Sequence, residues 1–233
     1  LVDYEDASEV FPGVDIAGGV CYFLWECDSR GPCEVTNVHN NETVVSLRPL
    51  NEFQTFIRHG QAVPIIRKVL AKGEKSMSEQ VSSRKPFGLP TNARPMKRGD
   101  LILRWNNGEG PYVRKDVMIG TEMIDKWKVI TSKVSYDHGG QPDKNGMRKV
   151  LSIVDILPPK TICTETYIVA GVFENRVEAE RLAQYLRTRF VRFLIAQLSF
   201  SQDITKDRFF FVPTLKMNTQ WTDDKLYKRY DLT

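Results

Sequence analysis

Residues that could act as nucleophiles, bases or metal ligands are present, but their spacing is not typical of catalysis. The three histidines, His39, His59 and His138, are scattered, and no serine or cysteine lies in a nucleophile motif. Cys21, Cys27 and Cys33 recur at every sixth residue, without the paired spacing of zinc sites. The sequence therefore predicts no catalytic residue and no metal site, and it favours reduced cysteines in a cytoplasmic protein.

One carboxylate–lysine group has the composition of a nuclease site. Asp223 and Asp224 are followed directly by Lys225. They also stand where a short helix, 224–230, is predicted to begin, with Thr222 or Asp223 as its cap. Because carboxylates stabilise the positive end of a helix dipole, we predict a structural role for them.

Positive charge is concentrated in the middle of the chain. Residues 1–30 carry seven acidic side chains against one basic, a net charge of −6. Residues 58–104 carry eleven basic side chains against three acidic, a net charge of +8, although the whole chain has a net charge of only +4. A local excess of this size attracts polyanions, but basic segments are also common as solvated surfaces.

The most distinctive basic segment is residues 82–99, called the basic loop below. Three prolines and two glycines within it predict a rigid surface loop. Five cations on this loop are the candidates for DNA contact: Arg84, Lys85, Arg94, Lys97 and Arg98. Asn92, Asn106 and Asn107 could contact adenine edges, or serve turn geometry alone.

The hydrophobic pattern predicts a fold of the mixed α/β (α+β) class. One long amphipathic helix is expected from Asn175 to about Ser199, with Asn175 and Glu178 forming a capping box. A shorter helix is expected over 61–71, and 139–146 reads as a loop. Strands are expected at 101–105, 112–119, 128–134, 149–156, 164–172 and 208–212. No apolar run approaches 18 residues, so no transmembrane span and no membrane partner are expected.

Several blocks along nearly the whole chain resemble one enzyme family, the adenine-N6 DNA methyltransferases of bacterial restriction–modification systems. The resemblance lies in EVFPGV at 9–14, GGVCYFL at 18–24, SSRKPFGLP at 82–90, CTETY at 163–167 and YLRTRF at 185–190, with FVP at 211–213 and WTD at 221–223. The blocks are specific together, although each alone is weak.

The resemblance implies a division of the chain at about residue 47. Residues 1–47 are expected to be the terminal strands of a Rossmann-like methyltransferase sheet, and 48–233 a mixed α/β target recognition domain for double-stranded DNA. The chain starts within a predicted strand, so we expect an upstream catalytic domain in the same parent protein. The resemblance leaves open whether that parent also carries an endonuclease.

The chemistry of such a parent would be methyl transfer from S-adenosylmethionine to an extruded adenine. Neither a glycine-rich cofactor turn nor an Asn/Asp-Pro-Pro-aromatic motif occurs in these 233 residues. We therefore expect no cofactor in this fragment, no activity from it alone, and S-adenosylmethionine in the parent. In the family, an aromatic residue of the first loop stacks on the flipped base, and Phe11 matches that position. The alternative is a Phe that only anchors the loop or the core.

A second class of function is consistent with the same sequence. The chain could be a non-enzymatic module that binds nucleic acid such as RNA, or that docks onto another subunit. Salt dependence separates the classes, because several phosphate contacts give a steep fall of affinity with salt and a docking module binds DNA little.

Overall fold

The computed structural model describes residues 1–13, 16, 18–39, 42–135, 149–199 and 201–232. Strands and helices both occur in this part of the chain, which confirms the mixed α/β class. The strands are β1 Val2–Tyr4, β2 Val20–Tyr22, β3 Cys33–His39, β4 Glu42–Arg48, β5 Leu101–Trp105, β6 Gly108–Tyr112, β7 Trp127–Ser132, β8 Val154–Leu157, β9 Thr161–Cys163 and β10 Tyr167–Phe173. The helices are α1 Ala62–Leu70, α2 Arg176–Arg187, α3 Arg189–Ala196 and α4 Asp223–Arg229.

The first four strands form one mixed sheet, the first sheet, in the order β2-β1-β3-β4. Strand β1 pairs antiparallel with β2 and parallel with β3, while β3 and β4 form an antiparallel pair. Residues 57–58 attach this sheet to the rest of the protein. Arg58 Nε lies 2.9 Å from the Asp3 carboxylate, and Arg48 Nη2 donates to the Ile57 carbonyl at 2.5 Å.

The central sheet, with the antiparallel order β10-β7-β8, separates two hydrophobic cores. Alternate residues of a strand point to opposite faces. On β10, Ile168 and Ala170 therefore belong to the larger core, whereas Tyr167 and Val169 belong to the smaller one. The four helices cover the first face. The basic loop and the third sheet, β6-β5-β9, cover the second.

The predicted long helix is wrong, because the chain breaks at Thr188 into α2 and α3. Thr188 is extended (φ −63°, ψ 152°), and its hydroxyl accepts a hydrogen bond from the Val191 amide. Asp223 from the start of α4 accepts the amides of Arg189 and Phe190, at 3.1 and 2.9 Å. Four amides of a helix start need such partners, so the new start is stabilised by contacts distant in sequence.

The cap predicted at the start of α2 is confirmed. The Asn175 side-chain oxygen accepts from the Glu178 amide at 3.0 Å, and the Asn175 amide group donates to the Glu178 carboxylate at 2.7 Å. Thr222 caps α4 in the same way by accepting from the Lys225 amide. Asp223 and Asp224 lie in the first turn of α4, as predicted, and Asp223 in addition accepts the two amides at the start of α3.

The strand predicted over 112–119 is wrong, because β6 uses residues 108–112 instead. A two-residue turn places Gly108 opposite Trp105. In this register the segment Gly-Glu-Gly-Pro-Tyr, residues 108–112, pairs with β5. Proline is tolerated because β6 is an edge strand. Beyond it, a 3₁₀ turn at Arg114–Asp116 ends the pairing, and Asp100 accepts the Arg114 amide at 3.0 Å.

Other sequence predictions have mixed outcomes. Helix α1 and strands β5 and β7 lie close to their predicted positions. The strand predicted over 208–212 is wrong, since Lys206–Phe209 forms a 3₁₀ turn that buries Phe209. The loop predicted over 139–146 lies outside the described residues. No helix in the described ranges is long and apolar enough to cross a membrane.

Candidate nucleic-acid interface

The basic loop is hydrogen-bonded to both of the sheets beside it. Near its start, the Ser82 amide donates to the Val169 carbonyl on β10 at 2.8 Å, and the Val169 amide donates to Ser82 Oγ at 2.9 Å. Near its end, the Met96 amide donates to the Pro111 carbonyl on β6 at 2.7 Å. Backbone bonds to two sheets hold the loop in one position, which agrees with the rigidity predicted from its prolines.

The middle of the loop is fixed by hydrophobic burial. Phe87 is fully buried and Leu89 nearly so, and both belong to the smaller core. Residues 85–88 form a tight turn, in which the Gly88 amide donates to the Lys85 carbonyl at 2.8 Å. Lys85 adopts a left-handed φ of 58°, uncommon for a residue with a side chain. Because the apolar residues point inward, the neighbouring cations face solvent.

Glu165, between β9 and β10, organises the start of the loop. Its Oε1 accepts from the Thr91 amide and hydroxyl at 3.2 and 3.1 Å. Its Oε2 lies 3.8 Å from Arg84 Nη2 and 3.9 Å from Lys85 Nζ. Burial alone would raise the pKa of Glu165, but the Thr91 hydrogen bonds and the charges of Lys133 and Lys85 outweigh it and lower that pKa. The carboxylate is therefore ionised at neutral pH.

Arg84 and Lys85 remain accessible despite this carboxylate. Their side chains are 58% and 49% exposed. The Glu165 carboxylate is only 14% exposed, but at 3.8 and 3.9 Å neither cation is within hydrogen-bond distance of it. Both cations can therefore turn toward an incoming phosphate at small cost.

Arg94 is held in place more firmly than the other cations. Its guanidinium lies over the Trp105 ring at 4.3 Å from the centroid. Its Nη1 donates to the carbonyls of Thr91 and Ala93, each at 3.0 Å. An arginine stacked on an aromatic ring keeps its outer N–H groups for a ligand, so Arg94 is a pre-positioned cation.

Lys97 and Arg98 differ from the other three cations of the loop. Both are exposed, and within the described residues neither lies in an ion pair. The structure thus brings all five predicted residues onto one anchored loop but sorts them into three kinds. Two share a carboxylate, one is stacked on tryptophan, and two are free.

Three residues that organise this surface were not found from the sequence. Trp105 was read only as part of a strand, and Glu165 only as part of a family block. Neither has a local signal for contact with residues 10 to 80 positions away. Gly110 is a third such residue, because a Cβ there would lie 2.5 Å from Pro95 Cβ. The glycines of β6 are the one sequence signal for this contact, because glycine within a strand indicates a close backbone approach.

The asparagines proposed for base contacts occupy turns. Asn106 and Asn107 form the turn between β5 and β6, and all three asparagines, with Asn92, are exposed. None of the three has a left-handed backbone, and their contact with bases stays a prediction.

Phe11 is half exposed, with 51% of its surface accessible. It follows the 3₁₀ turn Ala7–Glu9, which Asp6 caps by accepting the Ser8 amide at 2.9 Å, and its own amide donates to the Ala7 carbonyl at 2.8 Å. The ring is therefore not a core residue. Its backbone is fixed and its ring is open to a ligand, and base stacking stays a prediction.

An apolar segment directly after β2 is strongly exposed. Phe23, Leu24 and Trp25 are 66%, 81% and 78% accessible, and on β4 Leu47 is 70% accessible. Soluble monomers rarely leave several large apolar side chains in a row open to solvent, so the segment 23–25 has the composition of an interface.

The described residues contain no cluster of three or more histidine, cysteine or acidic side chains able to hold a metal. Burial raises the pKa of the Cys163 thiol to about 12, so Cys163 is a poor nucleophile at neutral pH. Cys21 and Cys27 are exposed and free.

A scan against models of known protein families finds no match for this chain. A search of curated proteins also finds no match.

Proposed function

We propose that this chain is the DNA-recognition part of an S-adenosylmethionine-dependent adenine-N6 DNA methyltransferase of a restriction–modification system. The observation that carries the proposal is the basic loop: five accessible cations on a segment fixed to two sheets and to a hydrophobic core. The family resemblance of the sequence blocks adds the type of reaction.

Cations on an anchored loop suit a duplex better than a flexible acidic partner. Phosphates of B-DNA are regularly spaced, and cations that position a protein on them work best when little side-chain and backbone freedom is lost. Arg94 illustrates this, because Trp105 already holds its guanidinium. Arg84 and Lys85 exchange a weak contact with Glu165 for contact with a phosphate.

The first sheet fits the proposed end of a Rossmann-like catalytic domain. It combines a parallel pair, β1 and β3, with antiparallel neighbours. The exposed apolar segment 23–25 and Leu47 would be covered by the upstream catalytic domain of the parent chain. Phe11, exposed on the loop after β1, would stack on the extruded adenine. The cofactor and the catalytic motif would come from that upstream domain.

Binding of duplex DNA by the chain itself is the first test. Wild type should bind a mixed-sequence duplex with an affinity that falls steeply between 50 and 200 mM salt. The double variant Lys97→Ala/Arg98→Ala should lower the salt slope by about 1.8, since each lost phosphate contact contributes about 0.9.

The matched control is Lys206→Ala/Lys228→Ala, which removes two exposed cations from the helical side of the central sheet. If both double variants change affinity and slope equally, the charge of the whole protein and not the basic loop attracts DNA, and the recognition surface is elsewhere.

The reaction is tested with the complete reading frame that encodes this chain. Expression in a host lacking adenine methylation, followed by sequencing for N6-methyladenine, should reveal methylation at one short recurring motif. An expressed and folded protein that leaves the genome unmethylated would contradict the methyltransferase assignment.

A docking module is the second candidate, and the exposed apolar segment 23–25 favours it. It differs from the first in one measurable way. A docking module would show weak DNA binding at 50 mM salt and no difference between the loop and control variants.

A further inference from the structure

A second surface, on the helical side of the central sheet, contains an open cleft of about 500 Å³ beside α3. Arg189, Arg192, Phe193 and Gln197 from α3 and its end line it, together with His59 and Val150. The basic loop packs on the opposite side of the central sheet, so the cleft is formed by different residues and layers. Its volume lies in the range of small-molecule sites.

Two arginines line this cleft. Arg189 and Arg192 are three positions apart on α3, a spacing that puts side chains on the same side of a helix. Within the described residues neither guanidinium lies in an ion pair, and Arg192 Nε makes only a 3.4 Å contact with the Thr188 carbonyl. Asp223, the carboxylate at this end of α3, accepts two backbone amides. Both guanidinium groups are therefore available for an anion.

Gln197 contributes a buried acceptor that lacks a donor. The residue is only 7% exposed, and its Nε2 donates to the Phe193 carbonyl at 3.1 Å. Its Oε1 has no hydrogen-bond partner among the described residues. Buried polar atoms in folded proteins are nearly always paired. This oxygen is itself fully buried, so the Gln197 side chain must rotate toward the cleft before it can accept from a ligand N–H group.

The remaining walls are apolar or neutral. Phe193 and Val150 provide flat and aliphatic surface. Burial, followed by the charge of Arg58, lowers the pKa of His59, so its imidazole is neutral at pH 7 and offers one donor and one acceptor. His59 Nε2 lies 4.0 Å from the Glu5 carboxylate, which places the cleft beside the segment that leads to Phe11.

We propose that this cleft binds a nucleotide, with the phosphate on Arg189 and Arg192 and the base against Phe193. Gln197 Oε1 would accept a hydrogen bond from an exocyclic amino group, which adenine and cytosine carry and thymine lacks. Arginine is well matched to phosphate, and base–aromatic stacking tolerates different bases. This inference goes beyond the proposed function and does not rest on it, because the basic loop takes no part in the cleft.

Calorimetric titration of the wild-type chain with dAMP, dCMP, dTMP and inorganic phosphate tests the proposal. We expect dAMP and dCMP to bind about tenfold more tightly than dTMP, the effect of one hydrogen bond to a buried group. All three should bind more tightly than phosphate. The side-chain amide resonance of Gln197 should shift with dAMP and dCMP.

Variants locate the site. Arg192→Ala and Arg189→Ala should each weaken dAMP binding about tenfold or more. Gln197→Leu should remove the preference for dAMP over dTMP. The matched control is Arg176→Ala, which removes an exposed arginine near the other end of the α2–α3 pair. If Gln197→Leu fails to fold, the variants of Arg189, which is exposed, and Arg192, which is half-buried, still decide the location.

Several outcomes would overturn the proposal. Absence of binding by every nucleotide at 5 mM would do so, and so would equal binding of phosphate and all nucleotides. Loss of binding in Arg176→Ala as large as in Arg192→Ala would place the ligand elsewhere.

A competition experiment distinguishes a free nucleotide from a nucleotide within a DNA strand. It uses the Lys97→Ala/Arg98→Ala variant, in which binding at the basic loop is weakened. If a single-stranded oligonucleotide displaces dAMP, the shift of the Gln197 side-chain amide resonance caused by dAMP is lost. That result identifies a DNA strand as the ligand. Retention of dAMP in excess oligonucleotide identifies the free nucleotide.

Discussion

Replacing Glu165 with glutamine should tighten the binding of duplex DNA by the basic loop. The carboxylate lies 3.8 Å from Arg84 and 3.9 Å from Lys85, so it competes with phosphates for both cations. Glutamine keeps the size of the side chain and an oxygen that can accept from the Thr91 amide and hydroxyl. The substitution therefore removes a charge and leaves the anchoring of the loop in place.

The magnitude follows from the distances. A phosphate on the far side of the Arg84 guanidinium would lie roughly 7 Å from the Glu165 carboxylate. Repulsion between two unit charges at that separation is about 0.6 kcal/mol with the dielectric constant of water and about 2.4 kcal/mol with an effective value of 20. Affinity at low salt should therefore rise between about threefold and fiftyfold. Because the pKa of Glu165 is lowered, the wild-type charge is present throughout the neutral range.

Fluorescence anisotropy with a labelled duplex, from 50 to 200 mM salt, measures the effect. The salt slope should stay close to the wild-type value, because Arg84 and Lys85 contact phosphates in both proteins and only the repulsion by Glu165 is removed. The control is Glu180→Gln, which removes one negative charge from an exposed pair with Arg176 on α2. If Glu165→Gln binds no more tightly than Glu180→Gln, Arg84 and Lys85 do not contact phosphates and the placement of DNA on this loop is refuted.

Three further changes test other parts of the structure. Phe11→Ala in the complete parent enzyme should lower turnover or DNA affinity, because the base loses about 1–3 kcal/mol of stacking, and unchanged kinetics in both respects would exclude the stacking role. Gly110→Ala should weaken DNA binding while the folded state persists, because its Cβ would lie 2.5 Å from Pro95 Cβ and displace the basic loop; wild-type affinity would argue that the exact loop position is unimportant. Burial lowers the pKa of Lys128 to about 8. Between about pH 8 and 10.5 the unfolded chain therefore binds a proton at Lys128 that the folded chain does not. Because of this difference, the free energy of unfolding should rise with pH by up to about 3 kcal/mol. Lys128→Met should lose that pH dependence, measured as the difference between two urea-unfolding series, and parallel series would contradict it.

Local patterns predicted the elements whose partners are near in sequence. Helix α1 follows from apolar spacing, a proline in the first turn and a glycine after the end. Strands β5 and β7 follow from short apolar runs. Asn175 was identifiable as a cap, and Thr222 as one of two candidates with Asp223, because capping is a contact over three residues.

The two main errors have different causes, a turn that sets a weak strand opposite its neighbour and a distant contact that starts a new helix. Residues 108–112 have weak strand propensity, yet the turn at 106–107 sets them opposite β5. Apolar spacing continues through Thr188, yet its hydroxyl and the Asp223 carboxylate start a new helix there. Periodicity measures only which face of a segment is apolar, so it contains no information on what arrives from 30 residues away.

The candidate interface divides in the same way. The composition of residues 82–99 identified its cations and its stiffness, because charge, proline and glycine act through local chemistry. Which cations are free was decided by the fold, since Glu165 and Trp105 reach the loop only through sheet pairing. The cleft beside α3 depends on tertiary structure still more, because His59 and Gln197 are 138 positions apart and meet only when the helical layer packs against the segment after the first sheet. Charge and local conformation are properties of neighbouring residues, whereas a binding site is a property of the distances that packing creates.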